Sequence, residues 1–166
     1  MTLPGGISRD SRRAIFEAVD QMEVKDATFV LDTNAYASGD VLAVPLEIEN
    51  VFKADGGERA LHSVVVLDED DQGAALDLVF FNASAALGTI NAAVSISDAD
   101  ARKIIGVVNV EATDYTDLVN SQVAMKTGLG IVLKAGASTK SLWVGAITRG
   151  APTHTASGIK IKLGFI

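Results

Sequence analysis

The chain has 166 residues, 48 % of them hydrophobic and 21 % charged, with no cysteine and a formal net charge of -7. That length and apolar content suit one domain with a sizeable core and exclude wholesale disorder, and no apolar run nears the ~20 residues that a membrane-spanning helix needs. The missing cysteines exclude disulfides, thiolate metal sites and thiol nucleophiles together.

Charge is unevenly placed. Within residues 1 to 25, Arg9, Arg12, Arg13 and Lys25 balance Asp10, Glu17, Asp20 and Glu23, so the whole net charge falls on the remainder. An acidic body repels phosphate backbones, and neither a nucleic-acid nor a membrane partner is expected. Residues 1 to 8 lack the basic start and apolar block of a secretory signal, so no export is indicated.

Pro4, Gly5 and Gly6 make the first seven residues a flexible lead. Ser8 is a candidate cap for a short helix, because Ile15, Phe16, Val19 and Met22 recur at the spacing of one helical face. A helix this short is marginal alone, so its apolar face needs a partner: the body, a second copy or another protein. These four residues are the candidate partner-binding set, and 1–25 is read as an N-terminal arm preceding a body of 26–166.

From Ala27 the periodicity becomes strand-like. Thr28 to Leu31 is a first strand, Asn34 to Asp40 a loop, and Val41 to Phe52 a second strand interrupted by Pro45. Without an N–H, Pro45 places that strand at an edge or on a bulge. Arg59 to Leu67 is a third strand. The run Asp68, Glu69, Asp70, Asp71 invites a calcium reading, but against the EF-hand pattern position 5 is Gln72 and position 12 is Val79. A solvated acidic turn is the expectation, with no cofactor and no metal assigned, while a calcium site of another kind stays open.

Gly73 to Asn82 is the central apolar strand, with Leu76, Leu78 and Phe80 on the core side and Ala75, Asp77 and Val79 opposite. A carboxylate among apolar neighbours needs a cation or hydrogen-bond donor, so Asp77 is expected to be paired or at a subunit boundary. Ala83 to Val94 reads as a long surface loop anchored by Leu87 and Ile90. Ser97 with Asp100 three residues on is an N-cap signature, and Asp98 and Asp100 are ordinary first-turn acids. Ile104 to Val110 is a strand, and Thr113 to Leu118 a helical turn or loop. Ser121 to Lys126, Leu129 to Leu133, Ser141 to Thr148 and Ile159 to Phe165 are further strands. Trp143 is expected to anchor a core or interface. In the last strand Ile159, Ile161, Leu163 and Phe165 alternate with Lys160 and Lys162, the pattern of a half-buried strand.

Catalytic signatures are missing. There is no G-x-S-x-G elbow and no phosphate loop, and Gly128-Leu-Gly130 sits in β context without the third glycine of a dinucleotide fingerprint. His62 and His154 are far apart in sequence and have no ligand pattern beside them. The chain is therefore not expected to be an enzyme.

Many short strands, few helices and no βαβ alternation favour an all-β, jelly-roll-like β-sandwich with a short N-terminal helical arm. Four stretches, Tyr36 to Val41, Gly73 to Phe81, Ser97 to Gly106, and Arg149 to Thr153 with the closing Leu163 and Gly164, together resemble a family of tailed-bacteriophage virion proteins, small structural proteins of the head. The resemblance implies a virion role rather than a catalytic site, and it leaves cement protein, head fibre and tail component open. The preferred expectation is a capsid decoration (cement) protein on the outer capsid surface, a homotrimer with the major capsid protein as partner. The alternative is a receptor- or glycan-binding module of a head fibre or tail, which exposed aromatic residues would favour.

Overall fold

The computed structural model describes residues 9–13 and 22–166. Residues 9–13 are helical and exposed, while Ile15, Phe16 and Val19 lie outside the described residues. The strands are β1 (Glu23–Thr28), β2 (Val41–Ile48), β3 (Glu58–Asp68), β4 (Leu76–Phe81), β5 (Ile104–Val110), β6 (Tyr115–Asp117), β7 (Gln122–Lys126), β8 (Ile131–Lys134), β9 (Leu142–Thr148) and β10 (Ile159–Phe165). A single helical turn, α1 (Asp98–Ala101), precedes β5, capped by Ser97, whose side chain accepts the Asp100 N–H. A 3-10 turn, Ala112–Asp114, precedes β6.

The strands form two antiparallel sheets. One runs β1-β10-β3-β7-β6, with β8 also on β3, and the other runs β2-β9-β4-β5. The pairing is nested. β1 pairs with β10, β2 with β9, β3 with β7 and β8, and β4 with β5, and successive pairs fall in alternate sheets. A long antiparallel ribbon rolled so that its strand pairs alternate between two facing sheets is the jelly roll, and the all-β sandwich expected from strand density is present.

Alternation explains the filling. Ile159, Ile161, Leu163 and Phe165 of β10 are all buried, and they meet Leu78 and Phe80 of β4 in one core between the sheets. Arg59 extends into that core edge, donating to Glu23 at 2.6 Å and to the Val51 carbonyl at 3.0 Å, with its guanidinium 5.3 Å over the Phe165 ring.

Several boundaries differ from the sequence reading. β1 begins at Glu23, inside the 1–25 arm, because Glu23, Lys25 and Ala27 alternate with Val24, Asp26 and Thr28 against β10. Phe29 and Leu31 continue the pairing beyond it through N–H bonds to Ile159 and Ala156. β7 and β8 are two halves of one strand line along β3, separated where Gly128 and Gly130 take φ of 68° and 62°. Leu129 keeps the interruption on the sheet by donating to His62. Pro45 sits in the edge strand β2, where the register shifts between Ala43 and Leu46, so edge and bulge both hold.

The outer faces of the two sheets are treated differently. On the second sheet Val79, Phe81 and Ile147 are covered by Leu87, with Ala85, Val94, Ile96 and Trp143 packed around them. The 82–97 segment is thus a lid over its own sheet. Gly145 makes that fit possible, since a Cβ there would stand 2.7 Å from Leu87 Cδ1.

Candidate functional site

On the first sheet the outer face is open. Register sets its rows: Thr28, Lys160, Leu67 and Val123 lie across one, Asp26, Lys162, Val65 and Met125 across the next. Nearer the other end Ala60 stands beside Val132, and Val24 beside Gly164. Val24, Met125 and Val132 are 63 %, 58 % and 64 % exposed. Lysines cross this apolar field on β10, held by ion pairs from Lys160 to Glu69 and from Lys162 to Asp26.

Two shallow grooves score the face. One lies between Thr28, Val65, Leu67 and Lys160. The other is lined by Met22, Val24, His62, Ser63 and Ile166. Of the candidate partner-binding residues only Met22 is described, and it is 64 % exposed at the rim of this second groove. Met22, directly before β1, therefore stands at the open face rather than at the covered one.

Asp77 lies on the opposite sheet. It is 8 % exposed, and it is paired as its apolar surroundings require: Asn109 donates to one carboxylate oxygen at 2.6 Å and Arg149 Nε to the other at 2.7 Å. Asn109 stands directly across from it on β5, while Arg149 follows β9. Half of the Arg149 side chain remains exposed, so the pair is a surface-facing clamp on a buried acid.

The acidic turn after β3 departs from expectation. Glu69 and Asp71 are exposed, but Asp68 is fully buried. Its carboxylate accepts the backbone N–H groups of Asp70, Gln72 and Gly73 at 3.0, 3.0 and 2.8 Å, so Asp68 organises the turn from within. The last residue of an inward-facing alternation continues inward, and the backbone folds over it. His154, in the loop before β10, is also buried, with Nδ1 3.3 Å from Asp70 Oδ2 and 3.8 Å from Asp68 Oδ1. Asp70 Oδ2 further accepts the Thr155 N–H and hydroxyl. The Tyr115 hydroxyl is buried without a hydrogen-bond partner, and burial, then the charges of Asp68 and Asp114, push its phenol up.

Sequence reasoning placed His154 and the acids of this turn in separate, unremarkable segments. A buried acid at the end of β3 was visible in the alternation Val64, Val66, Asp68. The histidine was not, because 84 residues separate it from Asp70. His62, the other imidazole, is exposed on the open face. No phenylalanine, tyrosine or tryptophan side chain among the described residues is exposed, and no helix among them is long and apolar enough to cross a membrane.

No family model matches the chain, and no curated protein matches it. Among solved structures it is similar to a chain from Desmodium yellow mottle tymovirus, at 10 % identity over 87 % of this chain and 79 % of that one, with a TM-score of 0.29. A similarity at that level carries no argument about function, and the jelly roll rests on the strand pairing itself.

Proposed function

We propose that the chain is a structural protein of a tailed-phage virion: a capsid decoration protein that sits on the outer head surface as a homotrimer, binds the major capsid protein and catalyses no reaction. The observation that carries this reading is the open apolar face of the first sheet, beside Met22. The 82–97 segment covers Val79, Phe81 and Ile147 of the second sheet and leaves Val44, Ile104 and Val107 exposed there, whereas Val24, Met125 and Val132 of the first sheet have no cover among the described residues. Three large apolar side chains on one sheet face, with the half-buried Val65, Leu67 and Val123 between them, are what an interaction surface would use. The acidic body suits a charged, soluble exterior.

The glycan-binding alternative draws no support from aromatic side chains, since sugar recognition commonly uses an exposed ring and the described rings are buried or half-buried. The test uses the full chain, Met125→Glu and Val132→Glu, and a variant lacking residues 1–21. Solution mass and binding to undecorated heads are measured for each. The expected result is a trimeric parent that binds heads, with binding lost in the charge variants while the fold is kept. A monomeric parent that ignores heads overturns the proposal.

A further inference from the structure

Every ion pair described above joins a carboxylate to lysine or arginine, except the two made by His154. Asp68 and Asp70 have no lysine or arginine partner among the described residues; the only group able to carry positive charge beside them is His154. Asp68 and His154 have side chains 1 % and 2 % exposed and Asp70 is half-buried at 14 %, so the cluster lies mostly below the surface rather than in a solvated acidic patch. The charge of the two carboxylates is met by backbone N–H groups and Thr155 rather than by a lysine or arginine.

The donor atoms are nevertheless convergent. One ligand atom from each of Asp68, Asp70 and His154 lies within 4.8 Å of the others. Zinc bonds of about 2.0 to 2.2 Å at tetrahedral angles put ligand atoms about 3.4 Å apart. The His154–Asp70 separation of 3.3 Å is at that spacing, and His154–Asp68 at 3.8 Å is slightly wider. Coordination capacity also remains. Asp68 Oδ1 takes a single N–H bond; Asp70 Oδ2, the oxygen at that spacing, also accepts the Thr155 N–H and hydroxyl, while Asp70 Oδ1 accepts none from the described residues.

The surroundings are built around these carboxylates. The backbone N–H bonds to Asp68 and the Thr155 bonds to Asp70 orient both groups, as outer-shell donors do around metal-ligating acids. Gly158 lies so close to Asp70 that any Cβ there would stand 1.6 Å from Oδ2, so a glycine is needed for the acid to reach this position. The unpartnered Tyr115 hydroxyl adds a buried polar atom within the field of Asp68.

We propose that Asp68, Asp70 and His154 form a binding site for a divalent first-row transition ion of the zinc type, which ties the turn after β3 to the loop before β10. An imidazole with two carboxylates suits such an ion, whereas calcium prefers six to eight oxygen donors, more than this cluster presents. The site is structural and stands independently of the virion reading.

The test begins with the full chain stripped by chelator. Titration with zinc, followed by calorimetry and thermal melting, is expected to give one ion per chain and a raised Tm. The ring-nitrogen resonances of the two histidines locate it: zinc moves that of His154 and leaves that of exposed His62 in place. His154→Gln and Asp70→Asn are expected to weaken zinc binding by more than about tenfold, and His62→Gln to leave it unchanged. Because the parent's His154 resonance is read directly, a His154→Gln chain that fails to fold does not remove the test. Absence of one-to-one binding, zinc that follows His62, or a cluster stabilised by protonation of His154 with no response to zinc each overturns the proposal.

Discussion

Arg59 is 5 % exposed, and a guanidinium that deep must be met by charge or by hydrogen-bond acceptors. Glu23 supplies the charge at 2.6 Å. Hydrogen bonds from Lys25 and then Arg59, with the charges of both, hold the Glu23 carboxyl below its usual value of 4.5, against desolvation that raises it. A carboxyl lowered by folding contributes stability that is complete above its unfolded value and is lost as pH falls through the lower folded one. Glu23→Gln is therefore expected to cost about 2 kcal/mol at neutral pH, the scale of a hydrogen bond to a charged group, with the gap to the parent narrowing in acid. Urea unfolding at about pH 7 and about pH 3 measures this; an equal gap at both would assign the loss to packing. At Asp77 the partner Arg149 is half exposed, so its charge is rehydrated when the acid is lost. Asp77→Asn should cost only about 1 kcal/mol, lowering Tm by roughly 2 to 4 °C in a chain of this size. A drop above about 10 °C in a thermal melt would mean that the pair bears far more of the fold than its exposure allows.

The 82–97 lid is the element whose removal tests the asymmetry between the sheets. Leu87 is 2 % exposed and seats against Gly145. Leu87→Ala is expected to destabilise by about 2 to 5 kcal/mol through lost burial and a cavity. Gly145→Ala collides with the same leucine and should also destabilise. Combined, the two should cost less than the sum of the single changes, because the added methyl occupies space that Leu87 has vacated. Denaturant midpoints for the four proteins decide it, and strict additivity would show that the lid and β9 do not share this contact. The lid's anchoring was legible in the sequence, since Leu87 and Ile90 stand out in a small, polar stretch. Its destination was not, because a loop's composition does not say which sheet face it crosses.

Across the described residues the nested pairing sets the first strand beside the last. β10 lies between β1 and β3 and contributes four buried side chains to the core. A chain ending at residue 158 is expected to show no cooperative unfolding, because it loses the second strand of the first sheet and splits β1 from the rest. By contrast, deletion of residues 1–21 removes nothing that pairs among the described strands, since β1 starts at Glu23. That truncated body should retain the parent's far-ultraviolet circular dichroism and unfold cooperatively; failure to fold would place the arm in the body's own core. Pairings that span most of the chain also predict refolding on the millisecond-to-second scale of non-local β proteins, measurable by stopped-flow fluorescence of Trp143. A microsecond phase carrying the full amplitude would contradict the nested topology.

Alternation and turn chemistry by themselves determined that this chain is an all-β sandwich, which residues of β4 and β10 face inward, that Pro45 marks an edge or bulge, and that Asp77 needs a partner. These are local consequences of side-chain period and missing donors, so they survive without coordinates. Tertiary structure decided the rest. β1 was hidden because its charged first residues follow directly on the helix-period segment and read as the end of the arm, and only its pairing with β10 reveals it. The break at Gly128 and Gly130 reads as a turn until both flanking strands are seen on β3. Burial of Asp68 beside His154, and the contrast between a covered sheet and an open one, depend on distant segments meeting in space, which no periodicity within either segment encodes.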